Sequence, residues 1–179
     1  MKGLQEPMVI SDSEPQEPWE FRREIKSFSL TDEEIEEIIY SASHTVVSWV
    51  TKSNEPVTAV MLYTVLDGKI TVTSTTNRAK YHARIRNPAA SFCIWDPKNI
   101  GRQVTLRGNI EIFKSDELLE RYTEAFLTRA FGGTRPTEER IKRELETFQA
   151  PDRHMMQLHV ESTVSHDLPA LLSAEKAMR

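Results

Sequence analysis

The stretch TVVSWVTKSNEPVTAVMLYTVLDGKITVTS, residues 45–74, decides the fold class of this chain. Its apolar runs are rich in β-branched and aromatic residues, which favour strands, and a short polar segment separates the first run from the second. Asp67-Gly68 indicates a tight hairpin, because both of its turn positions favour a positive φ. The pattern predicts three strands joined by hairpin turns, over residues 45–51, 56–66 and 69–74.

The flanking segments add helices and further strands. Thr31 and Glu34 form a capping box that predicts a helix start. Residues 75–88 begin with polar cap candidates and predict a helix that stops at Asn87-Pro88. The apolar run 91–96 predicts a strand buried on both sides, and 103–113 alternates cleanly, with Gly108 indicating a bulge or a close backbone approach. Two helices, over 116–131 and 138–148, precede one or two closing strands. Five or six strands with hairpin turns and short helices predict an antiparallel barrel or sandwich with helical decoration, a mainly β form of the α+β class.

Composition limits the domain count and the partners. The chain has 179 residues with 23 basic and 27 acidic side chains, a net charge of −4, so it is not expected to wrap nucleic acid. Residues 1–18 are acidic and proline-rich, which predicts a flexible tail before a single domain over 19–179, with Trp19 and Phe21 tying the end of the tail down. The sequence shows no signal peptide and no apolar run of about eighteen residues, so we expect a cytoplasmic protein that does not enter membranes.

Familiar catalytic and metal-binding motifs are absent from the sequence. The glycines form neither a dinucleotide-binding fingerprint nor a P-loop, and no nucleophile elbow is present. The single cysteine, Cys93, excludes a disulfide framework, and the five histidines lack the spacing of metal ligands, so no metal site is predicted. We therefore name no catalytic residue. If the protein is an enzyme, a bound cofactor is expected to supply the reactivity.

One basic segment stands out in this acidic chain. Arg78, Lys80, Arg84 and Arg86 follow a hydroxyl-rich strand end at Ser74, Thr75 and Thr76. If 78–86 is helical, its N-terminus offers N–H groups, hydroxyls and cations to a phosphate. The i,i+4 repulsion between Lys80 and Arg84 would then be relieved by an anion. The alternative is a solvated basic face that packs Tyr81 and Ile85 inward.

The order of these pieces resembles a known family. The first hairpin (TVVSWVTKSNEPVTAVMLY), the turn into ITVTSTTNRAKYHARIRNP, then ASFCIWDP and RQVTLRGNIEI are similar to the FMN-binding split barrel of the pyridoxamine 5′-phosphate oxidase-like superfamily. The resemblance covers about seventy residues, 44–112. It implies a six-stranded antiparallel Greek-key split barrel and a homodimer with two cofactor sites in its interface.

The resemblance also implies site residues. Thr75, Thr76, Arg78 and Lys80 would hold the cofactor phosphate. One side of the flavin ring would be lined by residues of the second strand, Thr58, Ala59, Val60 and Met61. Gln103 would reach the cofactor from a neighbouring strand or from the partner subunit. If hydride transfer is the activity, it needs an apolar slot for the substrate, which Met61, Tyr63, Val47 and Trp49 could line. Tyr63 is the least weak candidate for a general acid.

The sequence departs from the vitamin B6 oxidase itself. The second strand, VTAVMLYT, carries no charge, and the C-terminal segment lacks the basic motif for pyridoxal phosphate. The chain is closer to relatives that use FMN or the deazaflavin coenzyme to transfer hydride or electrons to another small organic substrate. Two alternatives remain open: a haem- or tetrapyrrole-binding protein, with His82, His154 or His159 as axial ligand, and a cofactor-free scaffold.

Overall fold

The computed structural model describes residues 25–177, without the side chain of Ile25. After a short 3₁₀ turn, Ile25–Phe28, the chain forms seven strands and five helices. The strands are β1 (His44–Val50), β2 (Pro56–Leu62), β3 (Thr64–Leu66), β4 (Lys69–Thr75), β5 (Ala89–Asp96), β6 (Asn99–Phe113) and β7 (Arg153–Asp167). The helices are α1 (Asp32–Ser41), α2 (Ala79–Arg86), α3 (Asp116–Ala130), α4 (Glu138–Phe148) and α5 (Leu168–Ala177).

The strands form one antiparallel sheet that curls into a half-barrel, in the order β2-β1-β5-β6-β7-β4-β3. The predicted antiparallel split barrel is confirmed, with seven strands instead of six. The expected single strand over 56–66 breaks at Tyr63, whose N–H donates to the carbonyl of Ser43 and whose hydroxyl donates to the carbonyl of Ile39. β2 pairs with β1 on one side of this break, and β3 pairs with β4 on the other. The closing segment, by contrast, is one long strand, β7.

The main core lies inside the half-barrel. Phe92 and Ile94 of β5 and Val104 of β6 are 0% exposed, and they pack with residues of α1 and β7. The expectation that 91–96 is buried on both sides is wrong, because only the face of Phe92 and Ile94 is buried while Cys93 on the opposite face is partly exposed. Burial alternates along β5, as in a sheet with one covered face.

A second apolar cluster joins the helical insert, α3 and α4, to the sheet. Leu118, Leu119 and Tyr122 of α3 pack on Leu66 and Met155. Both helices lie where the sequence predicts them, and each starts at a hydroxyl N-cap, Ser115 and Thr137. The insert therefore covers the outer side of β3, β4 and the first half of β7.

Local signals place several ends of elements correctly. The capping box of Thr31 and Glu34 is present at the start of α1, and Asp67 and Gly68 have φ values of 52° and 72° in the β3–β4 turn. Helix α5 was not predicted. Its start is marked by Asp167, whose carboxylate accepts the N–H of Ala170, and this residue is a signal that could have indicated the helix.

Two sequence predictions lie outside the described residues: the flexible tail over 1–18 and the anchoring role of Trp19 and Phe21. The boundaries of the single domain over 19–179 stay a prediction. Within residues 25–177, no helix is both long enough and apolar enough to cross a bilayer.

Candidate functional site

The barrel is split between β2 and β4. The hairpin register that pairs Thr64 with Thr71 would, if continued past the turn at Asp67-Gly68, place Thr75 opposite Val60. In the described sheet, however, β2 is an edge strand bonded to β1, while β4 pairs with β3 only over residues 69–71 and then with β7. The strand with the predicted ring residues and the end of β4 with the predicted phosphate residues are therefore not hydrogen-bonded to each other, which leaves the barrel open at this register.

The four predicted ring residues lie on both faces of β2. Thr58 and Val60 are exposed on the outer face, whereas Ala59 and Met61 are half-buried on the inner one, and Met61 packs against the main core. Of the four, only Thr58 and Val60 present their side chains outside the barrel. The other two can reach a ligand on that face through the backbone alone.

Gln103 lies on the same outer face, several strands away. A row of paired residues crosses five strands from β2 to β7 and defines what we call the outer sheet face: Val60, Val46, Cys93, Thr105 and Val164. Gln103 is two residues from Thr105 in β6 and therefore points the same way, and its side-chain oxygen accepts a hydrogen bond from Cys93 Sγ at 3.5 Å.

The hydroxyl residues predicted to bind phosphate at the end of β4 do not all lie on the same face of the strand. Ser74 is buried and donates to the carbonyl of Thr75 at 3.3 Å, so it lies inside the barrel, away from the other two. Thr75 faces outward and donates to the side chain of Asn77 at 2.7 Å. Thr76 donates both its hydroxyl (2.9 Å) and its N–H (3.2 Å) to Asp152. The predicted phosphate-binding strand end thus keeps Thr75 and Thr76 together but excludes Ser74.

Three cations meet at this strand end. Arg78 and Lys80 begin α2, and Arg153 pairs directly with Thr75 across the β4–β7 ladder. Lys80 is partly buried, and its pKa is lowered first by this burial and then by the positive charges of Arg78, Arg153 and Arg84. Because repulsion among neighbouring cations lowers the pKa, an anion bound between them would relieve it. We call Arg78, Lys80 and Arg153 the cation cluster.

Sequence reasoning missed Arg153 and Asp152. Both lie more than seventy residues from Thr76 and follow α4 in a segment without a recognisable motif. Hydrogen bonds from Thr76 lower the pKa of Asp152. The Asp152 carboxylate accepts the hydroxyl and N–H of Thr76, which the sequence pattern assigns to a phosphate. Of these two residues, only Arg153 therefore attracts an anion.

Arg84 does not belong to the cation cluster. It is 3% exposed, and its guanidinium donates to the carbonyls of Ala89 (3.1 Å) and Ser48 (3.0 Å) while lying over the ring of Trp49. Burial lowers its pKa to about 10. The predicted repulsion between Lys80 and Arg84 persists. Arg84 is buried, however, and it has a structural role in which it joins α2 to β1 and β5.

Tyr63, the least weak candidate for a general acid, is a core residue. Its hydroxyl donates to the carbonyl of Ile39 at 2.6 Å, and burial raises its pKa to about 12. Such a group is a poor proton donor near neutral pH. The histidines also have local partners: His154 lies beside Tyr81 and the carbonyl of Asp152, and His159 contacts Glu111.

No cluster of three metal-ligating side chains occurs in the described part of the chain. The donor set at the split instead suits a phosphate, since it combines the cation cluster with the first turn of α2, whose N-cap residue makes no side-chain capping bond. A flavin-type cofactor that carries a phosphate fits this chemistry.

Several solved structures share the fold. The conserved hypothetical protein Rv2991 from Mycobacterium tuberculosis is 23% identical over 78% of this chain and 86% of that chain, with a TM-score of 0.69. An F420 reductase is 22% identical over 74% of this chain and 98% of that chain, with a TM-score of 0.53. A FAD-binding protein from Mesorhizobium loti is 12% identical over 76% of this chain and 94% of that chain, with a TM-score of 0.53. At these identities the likeness concerns the fold.

Comparison of the sequence with a family model identifies the family of this chain. No curated protein matches the chain in sequence. Residues 31–166, in contrast, match the family model of pyridoxamine 5′-phosphate oxidase, a range that contains every strand except the last residue of β7 and includes both sides of the split. Since the match spans well over half of the chain, and the fold agrees with it, this protein belongs to the pyridoxamine 5′-phosphate oxidase family.

Proposed function

We propose that this chain is a flavin- or deazaflavin-dependent oxidoreductase that holds the phosphate of its cofactor at the cation cluster and passes hydride or electrons to a small organic substrate. The observation that carries the proposal is the meeting of Arg78, Lys80 and Arg153 at the end of β4, beside the split. Family membership and flavin-type relatives support it.

The protein contributes position and electrostatics. The cation cluster and Thr75 would bind the phosphate, and Thr58 and Val60 would line one side of the ring, with backbone of 59–61 behind them. The bound cofactor supplies the hydride-transfer chemistry. No side chain is assigned as a proton donor, because Tyr63 is bonded to a carbonyl within the core.

The proposed site is shared between two copies of the chain. Val60 (64% exposed) and Val164 (57% exposed) place apolar surface at the two ends of the outer sheet face, and Gln103 lies between them, far along the sheet from the cation cluster. A second copy packed on this face would cover the valines and bring its own Gln103 toward the ring. Val164→Asp is then expected to yield monomers in sedimentation and to weaken cofactor binding, whereas a monomeric wild type with tight binding would contradict the shared site.

The binding test compares FMN with riboflavin, which lacks the phosphate. Charge-assisted hydrogen bonds contribute about 1.5–3 kcal/mol each, so Lys80→Ala, Arg78→Ala and Arg153→Ala should each weaken FMN binding by about ten- to a hundredfold. Riboflavin binding should change little, and Lys98→Ala, in an exposed turn, serves as the control for loss of a charge. Fluorescence quenching of the flavin measures both affinities.

The proposal fails on either of two outcomes. One is wild-type affinity for FMN in all three variants of the cation cluster, which would move the phosphate elsewhere. The other is a purified protein that binds neither FMN nor deazaflavin, or that carries the Soret band of a haem instead. Turnover is tested separately, by whether a reduced bound cofactor is reoxidised when candidate acceptors are added.

A further inference from the structure

A polar pocket separates the helical insert from the barrel. It has a volume of about 500 Å³, within the range of small-molecule sites. Its walls come from the end of β6, the first turn of α3, the loop after α4 and the start of β7. We call it the insert pocket, and its defining residues are Lys114, Ser115, Asp116, Gln149, Ala150 and Arg153.

The insert pocket adjoins the cation cluster at Arg153, which belongs to both. Arg153 is paired with Thr75 in the β4–β7 ladder, and its guanidinium donates to Thr73 Oγ1 at 3.4 Å and to the carbonyl of Phe148. Arg153 therefore lines the pocket and lies next to the strand end that carries the proposed phosphate position. A group attached to a phosphate at the cation cluster would find the pocket next to it.

The lining of the pocket favours a polar and acidic occupant. Lys114 and Arg153 carry two positive charges against the one carboxylate of Asp116, and Gln149 adds an amide that can donate or accept. Lys114 donates to the carbonyl of Pro151 at 2.8 Å, which holds its ammonium group at the rim. Leu119 and Met155 supply an apolar floor.

FMN would leave this pocket unused, since its phosphate is the end of the molecule. Coenzymes in which the phosphate is esterified to a further group extend beyond that point, and in the F420 coenzyme the extension carries carboxylates. We infer that the insert pocket binds the acidic group esterified to the cofactor phosphate, so that the chain prefers a phosphodiester-extended flavin-type coenzyme to FMN. This inference rests on the proposed function, because it uses the same phosphate position.

The test fills the pocket without disturbing its charges. Ala150 lines the pocket, and its contacts within the loop are made by its backbone, with the N–H donating to Phe148 and the carbonyl accepting from Arg153. Ala150→Trp keeps these bonds and occupies the pocket with an indole. Thr147→Trp, exposed on α4 and outside the pocket, is the matched control.

Affinities of the wild type and both variants are measured with F420 and with FMN as probes, and thermal unfolding checks that each variant folds. We expect Ala150→Trp to weaken F420 binding by about tenfold or more and to leave FMN within about twofold, with Thr147→Trp like the wild type. Lys114→Gln, which removes one cation from the rim, should weaken F420 binding by about twofold to fivefold and leave FMN binding unchanged.

Three outcomes would overturn the inference while the proposed function stands: Ala150→Trp affects neither probe, it affects both alike, or the wild type binds FMN but not F420. Failure of the wild type to bind either probe would instead overturn the proposed function. The two failures are therefore distinguishable in one set of titrations.

Discussion

Replacing Gly108 with alanine should destabilise the barrel at the point where the pairing register of β6 and β7 shifts. A Cβ at this position would lie 1.9 Å from the carbonyl oxygen of His159 and 2.9 Å from its carbonyl carbon. Carbon–oxygen contacts between adjacent strands are about 3.3–3.6 Å, so the strands must separate by roughly 1.4 Å or more. Both atoms belong to the backbone of the facing strand, where the register already shifts between Arg107 and Gly108.

The expected loss follows from two opposing effects. Forcing a methyl group into a packed site costs about 1–3 kcal/mol, and disturbing the neighbouring ladder bonds adds to this. Alanine recovers about 0.4–1 kcal/mol by restricting the unfolded chain. The net loss of unfolding free energy is therefore about 2–4 kcal/mol, which for a chain of this size lowers the melting temperature by roughly 5–15 °C.

Urea and thermal unfolding, followed by circular dichroism, measure this loss. Gly132→Ala is the matched control, because Gly132 has a φ of +65° but no atom within 4 Å of its missing Cβ, so it bears the cost of the backbone conformation alone, about 1–2 kcal/mol. If Gly108→Ala loses no more stability than Gly132→Ala, the close approach of the two strands does not constrain this position and the reasoning is refuted.

Two further predictions concern the basic segment. Arg84→Met should lower the unfolding free energy by about 2–4 kcal/mol, because it removes a buried side chain that donates to the carbonyls of Ser48 and Ala89. Arg86→Met, at an exposed position, should lose less than about 1 kcal/mol, and equal losses in the two variants would contradict the structural role of Arg84. The ratio of FMN to riboflavin affinity should fall as the pH rises through the pKa of Lys80, which lies below its usual 10.5, because only the charged amine attracts phosphate. Lys80→Arg should abolish this fall, since arginine stays charged, and a ratio in the wild type that stays flat up to pH 10.5 would place Lys80 away from the phosphate.

Much of the fold could be predicted from local signals. The capping box at Thr31, the positive φ at Asp67-Gly68 and the single-faced alternation of 103–113 all depend on a few consecutive residues, and the structure confirms each of them. Gly108 is a similar case, since a glycine on the apolar face of a strand already indicates a close neighbour. For the candidate site, the sequence indicated Arg78 and Lys80, because they follow a hydroxyl-rich strand end directly.

The rest depends on which distant segments meet. The strand over 56–66 carries no local sign of its break, which exists because Tyr63 packs under α1 and the chain changes partner from β1 to β4. Arg153 joins the site only through its pairing with Thr75, seventy-eight residues earlier in the chain.

The sequence by itself determined the order of the elements and their turns, because these follow from backbone preferences and side-chain alternation over short ranges. It also determined the family, through the similarity of residues 31–166 to known members. Only the tertiary structure decided which basic side chain is structural and which can bind an anion. Arg84 and Lys80 stand four residues apart on one helix, yet packing buries Arg84 against the carbonyls of Ser48 and Ala89 and leaves Lys80 beside Arg153. The charge of a side chain is written in the sequence, but its neighbours, its hydration and hence its pKa are set by segments that meet only when the chain is folded.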